Sequence, residues 1–111
     1  MTQNYLNSLG DLFHETAQLS GFHPPVQGDI EFLKEFVANE HGEISELWEA
    51  LRKGQLMKPC DKADKMVDEG LQPLTCLEEE LADIVIRALG AARRLNVNIG
   101  NAVHQKNLFN R

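Results

Sequence analysis

Glu43-Ile44-Ser45-Glu46-Leu47-Trp48 has a near-copy downstream, Glu80-Leu81-Ala82-Asp83-Ile84-Val85. Both read acid, apolar, small, acid, apolar, apolar, and both sit in long segments whose apolar residues recur at helical spacing. Acids three apart on a helix are neighbours on one face, the second roughly 60° round from the first. In each segment the apolar stripe is centred about 80° to the other side of the first acid: Leu33, Ile44, Leu47 and Leu51 in one, Leu77, Leu81, Ile84 and Ala88 in the other. Both carboxylate pairs therefore lie at the same edge of a face expected to be buried. If the two helices pack on each other, Glu43, Glu46, Glu80 and Asp83 converge. Four such carboxylates repel one another unless cations neutralise them, and an all-oxygen ligand set suits Mg²⁺ or Mn²⁺. The plain alternative is that these acids are ordinary surface charges on helices.

Outward from the first motif, Asp29 is placed to cap its helix, with Glu31 and Glu35 near the positive end of the dipole. Arg52 and Lys53 fall in the last turn and Gly54 just beyond it. The apolar positions are Ile30, Leu33, Phe36, Val37, Ile44, Leu47 and Leu51, and Glu40 falls near the middle of that stripe. Upstream, Tyr5, Leu6, Leu9, Leu12, Phe13 and Leu19 predict a helix over Thr2 to Ser20 that stops at Gly21. Phe22 to Gly28, with Pro24 and Pro25, reads as a connector. Gln55 to Pro73 is expected to be a mobile loop with a short exposed helix within Cys60 to Asp68, its charge run Asp61-Lys62-Ala63-Asp64-Lys65 a solvated face. Thr75 and Glu78 form a capping box that starts a helix running to about Leu95. Asn98 caps a last helix, Ile99 to Phe109, with Ile99, Ala102, Val103 and Phe109 facing inward. No segment alternates as a strand. The expected fold is all-α: one domain over 1–111, four-helix bundle-like, with the two motif-bearing helices antiparallel.

The chain has 111 residues, 42% of them hydrophobic, the scale of one small folded domain. No stretch approaches the apolar run of a membrane span, and no secretory signal is seen at the N-terminus. The formal charge of -6 argues against unaided binding to nucleic acid. It leaves room for a phosphorylated small molecule if metal ions supply the positive charge. Cys60 and Cys76 fit no zinc spacing and read as reduced thiols of a cytoplasmic protein. A carboxylate di-iron bundle would need Glu-x-x-His on two helices. None of His14, His23, His41 and His104 has Glu three residues before it.

Taken together, Glu43-Ile44-Ser45-Glu46, Glu80-Leu81-Ala82-Asp83-Ile84-Val85-Ile86-Arg87 and Lys106-x-x-x-Asn110-Arg111 resemble the MazG-like, all-α nucleoside triphosphate pyrophosphohydrolases. That family carries E-x-x-E, then E-x-x-D, then Lys and Asn on the last helix; the likeness covers roughly residues 30 to 111. It implies a MazG-type domain forming a homodimer or dimer of dimers, with the nucleotide pocket near the subunit interface. It implies Mg²⁺-dependent hydrolysis of a (deoxy)nucleoside triphosphate between the α and β phosphorus atoms, as in nucleotide-pool sanitation. Glu43, Glu46, Glu80 and Asp83 would hold the metal, with Glu43 or Glu46 as the base that takes the proton from water. Lys106 would meet phosphate oxygens as a point charge, and Asn110 and Arg111 phosphate or sugar.

Three departures stand beside the resemblance. The stretch from Leu47 to Glu79 is longer than the family usually shows. The chain stops at Arg111, where similar members often continue with another Arg and a His-Gly-Lys segment, so part of a substrate-binding tail is expected to be missing. Glu40-His41-Gly42-Glu43 can itself be read as E-x-x-E, although the phase and flanks of Glu43 and Glu46 match the downstream copy better. Trp48, Phe32, Phe36, Phe22 and His23 are candidates to line a base pocket. Core is the commoner place for Phe32 and Phe36, core or subunit interface for Trp48, and the surface or a place behind the ligands, rather than a ligand's, for His14, His41 and His104. Rival readings are a non-catalytic helical interaction module and a relative acting on phosphoribosyl-ATP.

Overall fold

The computed structural model describes residues 2–24 and 27–111, with side chains from Asn4 onward. The described residues form five helices: α1 (Thr2–Leu19), α2 (Asp29–Arg52), α3 (Ala63–Asp68), α4 (Cys76–Arg94) and α5 (Ile99–Asn110). The fold is all-α, and the helix bounds match the expected ones to within a residue or two. Pro25, expected in the connector, lies outside the described residues.

The stops follow from backbone bonding. At the end of α2, Gly54 takes φ +67°, its N–H bonds to the Leu51 carbonyl, and the next N–H, of Gln55, reaches back to Ala50 at 2.8 Å. That paired closure satisfies carbonyls the helix leaves open. After α4 the same pair of bonds runs from Asn96 to Arg93 and from Val97 to Ala92, with Asn96 at φ 59°. Asparagine tolerates this left-handed conformation better than most side chains. At the start of α4, Thr75 N–H donates to Glu78 Oε1 at 2.9 Å and Glu78 N–H to Thr75 Oγ1 at 3.2 Å, the expected capping box. Asn98 Oδ1 accepts from Asn101 N–H at 3.2 Å, capping α5.

The chain divides into two compact units, 1–37 with 86–111, and 38–85. In the first, α1 lies against α4 through small residues. A Cβ on Gly10 would stand 2.7 Å from the Leu89 carbonyl oxygen, and one on Gly90 would stand 3.5 Å from Phe13 Cβ. Phe32, Leu89, Ala91 and Ala92 form the buried centre of this unit. Asn7 joins α1 to α5, donating to Asn98 Oδ1 at 2.9 Å and accepting from Gly100 N–H at 3.1 Å. Arg94 closes it by pairing with Asp29 at 2.7 Å and donating to the Gln27 carbonyl. Asp29, expected as a cap, thus begins the helix and spends its carboxylate on Arg94.

In the 38–85 unit, Cys60, Ala63 and Glu43 are the buried side chains. Several residues expected to face a core are exposed instead: Ile44 and Leu51 at 52%, Leu81 at 47%, while Leu47, Leu77 and Ile84 are half-buried. A small chain has too little interior to cover every apolar stripe. Ile30 and Val37 on α2, and Tyr5, Leu12 and Leu19 on α1, are exposed for the same reason. Of the α5 residues expected to face inward, Ile99 is half-buried but Ala102, Val103 and Phe109 are exposed. Apolar residues are spread around that helix rather than gathered on one face.

Candidate metal centre

The 38–85 unit holds both acid motifs. Glu43 and Glu46 sit one turn apart on α2, and Glu80 and Asp83 one turn apart on α4. The loop between the helices is bonded onto the start of α4, which fixes those first turns. Leu77 N–H bonds to the Leu56 carbonyl, Cys76 N–H to Lys58, and Cys60 N–H to Leu74, each at 2.9 Å. Pro59 and Thr75 pair in an isolated antiparallel bridge at its centre. The loop expected to be mobile is therefore clasped at its root, with the thiol of Cys60 sealed inside.

The clasp brings three of the four predicted ligands together. One oxygen each from Glu43, Glu46 and Glu80 lies within 4.8 Å of the other two. Glu43 is 7% exposed, Glu80 half-buried and Glu46 open to solvent. Like charges this close disfavour ionisation. Glu80 responds: its carboxyl is pushed up to about 7, first by burial, then by the facing Glu46 carboxylate, then by the charges of Glu43 and Glu79. Near neutral pH, Glu80 thus keeps part of its proton beside the Glu46 carboxylate. Oε2 of Glu80 is buried with no hydrogen-bond partner.

Asp83 is outside that group of three and is half-buried. Its charge is felt by Lys62, whose ammonium lies 3.3 Å from Glu79 Oε1. Lys62 and Glu79 are the functional neighbours that sequence reasoning missed. The run Asp61 to Lys65 was expected to be a solvated face, and its four charged residues are exposed, although Ala63 is buried and the exposed Lys62 reaches Glu79 of α4. Composition averages over such a run and carries no sign of which lysine folds back. Glu79 also helps push the Cys60 thiol up, after burial.

The predicted substrate residues are on α5 and its end, in the other unit. Lys106, Asn110 and Arg111 are all exposed. Lys106 Nζ stands 4.7 Å over the Phe109 ring, and Arg111 N–H closes the helix on the Leu108 carbonyl. Lys106 and Asn110 line a shallow hollow of about 360 Å³ with Ala102, Val103 and Asn107.

Among the aromatic candidates, Phe32 is core at 4% exposure, with Phe36 stacked 6.5 Å away. Phe22 is 65% exposed. Trp48 is 59% exposed and lines an apolar groove of about 350 Å³ with Ile44, Leu47, Leu51, Leu56 and Leu77. His14, expected at the surface or behind the ligands, is half-buried against His23 in the other unit. No helix among the described residues is long and apolar enough to cross a membrane. Comparison of the chain with protein families, with curated proteins and with solved structures found no match.

Proposed function

We propose that the chain is a Mg²⁺-dependent nucleoside triphosphate pyrophosphohydrolase of the MazG-like type, acting in the cytoplasm. One observation carries the reading: three carboxylates within 4.8 Å of one another, with Glu80 pushed up to about 7 by burial and then by the neighbouring acids. Such a cluster is relieved by a cation. A proton relieves it partly, and leaves Oε2 of Glu80 without a partner. A divalent ion satisfies several oxygens at once, and all-oxygen donors favour Mg²⁺ or Mn²⁺ over softer metals.

Glu43, Glu46 and Glu80 would hold the ion, with Asp83 joining them on the resemblance. When bound, the metal supplies charge neutralisation for a polyphosphate and makes a bound water more acidic. Glu43 and Glu46 are the candidate bases; Glu46, exposed, is the better placed to take a proton from solvent-borne water. Lys106 contributes a point charge for phosphate oxygens, and Asn110 and Arg111 contacts to phosphate or sugar, on the resemblance. The bond broken is between the α and β phosphorus atoms, leaving a nucleoside monophosphate and pyrophosphate.

A homodimer belongs to the same proposal. The exposed groove around Trp48 and the exposed Ile44, Leu51 and Leu81 support a covering second copy, since a monomer rarely leaves so contiguous an apolar surface open. Light scattering at micromolar concentration should return twice the 12.5 kDa chain mass or a higher multiple. The activity test is a turnover screen of canonical and modified triphosphates with Mg²⁺. Pyrophosphate and monophosphate should appear in equal amounts. Release of orthophosphate, or no turnover with any triphosphate, would overturn the assignment.

A further inference from the structure

The unit formed by 1–37 and 86–111 holds a second cluster of titratable groups, which the proposed activity does not use. His14 on α1 and His23 in the segment before α2 face each other Nδ1 to Nδ1 at 2.6 Å. Their rings are 4.9 Å apart and tilted by 35°. His23 also meets the buried Phe32 ring edge-on at 4.8 Å. Behind it stands Gly90 of α4: a Cβ there would lie 3.6 Å from His23 Cε1. The imidazole of His23 is thus held between α1, α2 and α4.

We propose that His14 and His23 form a proton-operated clip, which fastens His23 and the residues just before it, 20–22, onto α1 at neutral pH and releases them in acid. The proton count follows from the contact. Two Nδ1 atoms at 2.6 Å hold one proton between them. In the neutral pair, one ring donates from Nδ1 and the other accepts there, carrying its own proton on Nε2. A first added proton enters the bare Nε2 of the donor ring, so the pair gains one charge and keeps its bond. A second must enter the shared contact, which sets two N–H groups head to head and breaks it.

The surroundings oppose even the first step. From α4, Arg93 and Arg94 act on His14, and Arg94 and Arg87 on His23. Asp11 on α1 is the acid that favours a charged His14, and it is engaged with Arg93 at 2.6 Å. Asp29 on α2 is engaged with Arg94. Burial and these guanidinium groups hold both histidines below the ordinary value of 6.5. The other end of the segment is tied differently, with Arg94 donating to the Gln27 carbonyl. Arginine keeps its charge throughout, so acid opens the His23 end alone. Opening also uncovers the edge of Phe32, which gives the open state a cost.

The test uses the full chain. Histidine side chains are followed by ¹⁵N NMR from about pH 8 to about pH 5, with hydrogen exchange of residues 20–23 measured in parallel. His41 and His104 serve as references in the same spectra. His14 and His23 should titrate together, in two steps, below 6.5. Exchange over 20–23, corrected for its intrinsic pH dependence, should rise at least about tenfold across that range. In His14→Gln the same residues should exchange fast at every pH. Independent titration near 6.5, flat corrected exchange in the wild type, or a His14→Gln variant that keeps the wild-type pH dependence would each overturn the clip. If His14→Gln fails to fold, the wild-type titration and exchange decide alone.

Discussion

In the 38–85 unit, three carboxylates crowd within 4.8 Å, and Lys62 pairs with the adjacent Glu79. In the unit formed by 1–37 and 86–111, two histidines meet at 2.6 Å under the influence of Arg87, Arg93 and Arg94. Both places press groups of one kind together, but the electrostatic remedy is opposite. The acid cluster is relieved by gaining positive charge. The histidine pair is relieved by having none. On the two proposals made above, one site takes a cation and the other expels a proton, so changes of pH or metal should act on the two with opposite sign.

The largest expected effect separates the two at the acid cluster. Glu80→Gln removes the carboxylate that binds α4 to the cluster. Pyrophosphohydrolase turnover should fall on the order of 10²–10³-fold, while the clip's titration stays unchanged. Equal activity in Glu80→Gln would break the metal-centre account.

Next comes packing in the histidine-bearing unit. Gly10→Ala places a methyl 2.7 Å from a backbone oxygen of Leu89, which cannot swing away. The helix propensity gained is outweighed, and chemical denaturation should show a loss of about 1–3 kcal/mol. Gly42, in the other unit, has nothing within 4 Å of its would-be Cβ. Gly42→Ala should therefore stabilise, by about 0.5–1 kcal/mol, the smallest effect predicted.

Between those two lies pH. Glu80 is raised above 4.5 in the folded protein, so its contribution to stability is present below 4.5 and lost as pH rises through about 7. Partial hydration reduces the change to about 1 kcal/mol. The histidines run the other way: lowered in the folded state, they contribute fully above 6.5, and that contribution is lost as pH falls below it. Wild-type stability should therefore look flatter between pH 4.5 and 7 than either variant's. Glu80→Gln should expose the loss in acid, and His14→Gln the loss toward neutrality. Matching profiles for the two variants would dissolve the comparison.

Much of this was legible before any coordinates. Helix bounds were, because capping is local: Thr75 with Glu78, Asn98 and Gly54 each act within a turn. The phase of Glu43, Glu46 and Glu80 was legible too, since helical periodicity fixes which face an acid shares with its neighbours. Burial of that face was not. Ile44, Leu51 and Leu81 keep the right phase but stay exposed, because periodicity reports which side is apolar and not what covers it. The pairing of Lys62 with Glu79 and the meeting of His14 with His23 were illegible for a common reason. Each depends on a non-helical segment folding back, set by bonds such as Cys60 to Leu74 and Arg94 to Gln27 that no local pattern encodes.

The central claim is that the carboxylates of α2 and α4 are held together to receive a divalent ion. Thermal unfolding of wild type and Glu80→Gln, each with and without millimolar Mg²⁺ or Mn²⁺, tests it most directly, because an ion bound to the folded state alone raises its melting temperature. Wild type should gain several degrees on adding the metal, while Glu80→Gln melts at one temperature in both buffers. An equal gain in the two proteins, or none in the wild type, would contradict the account.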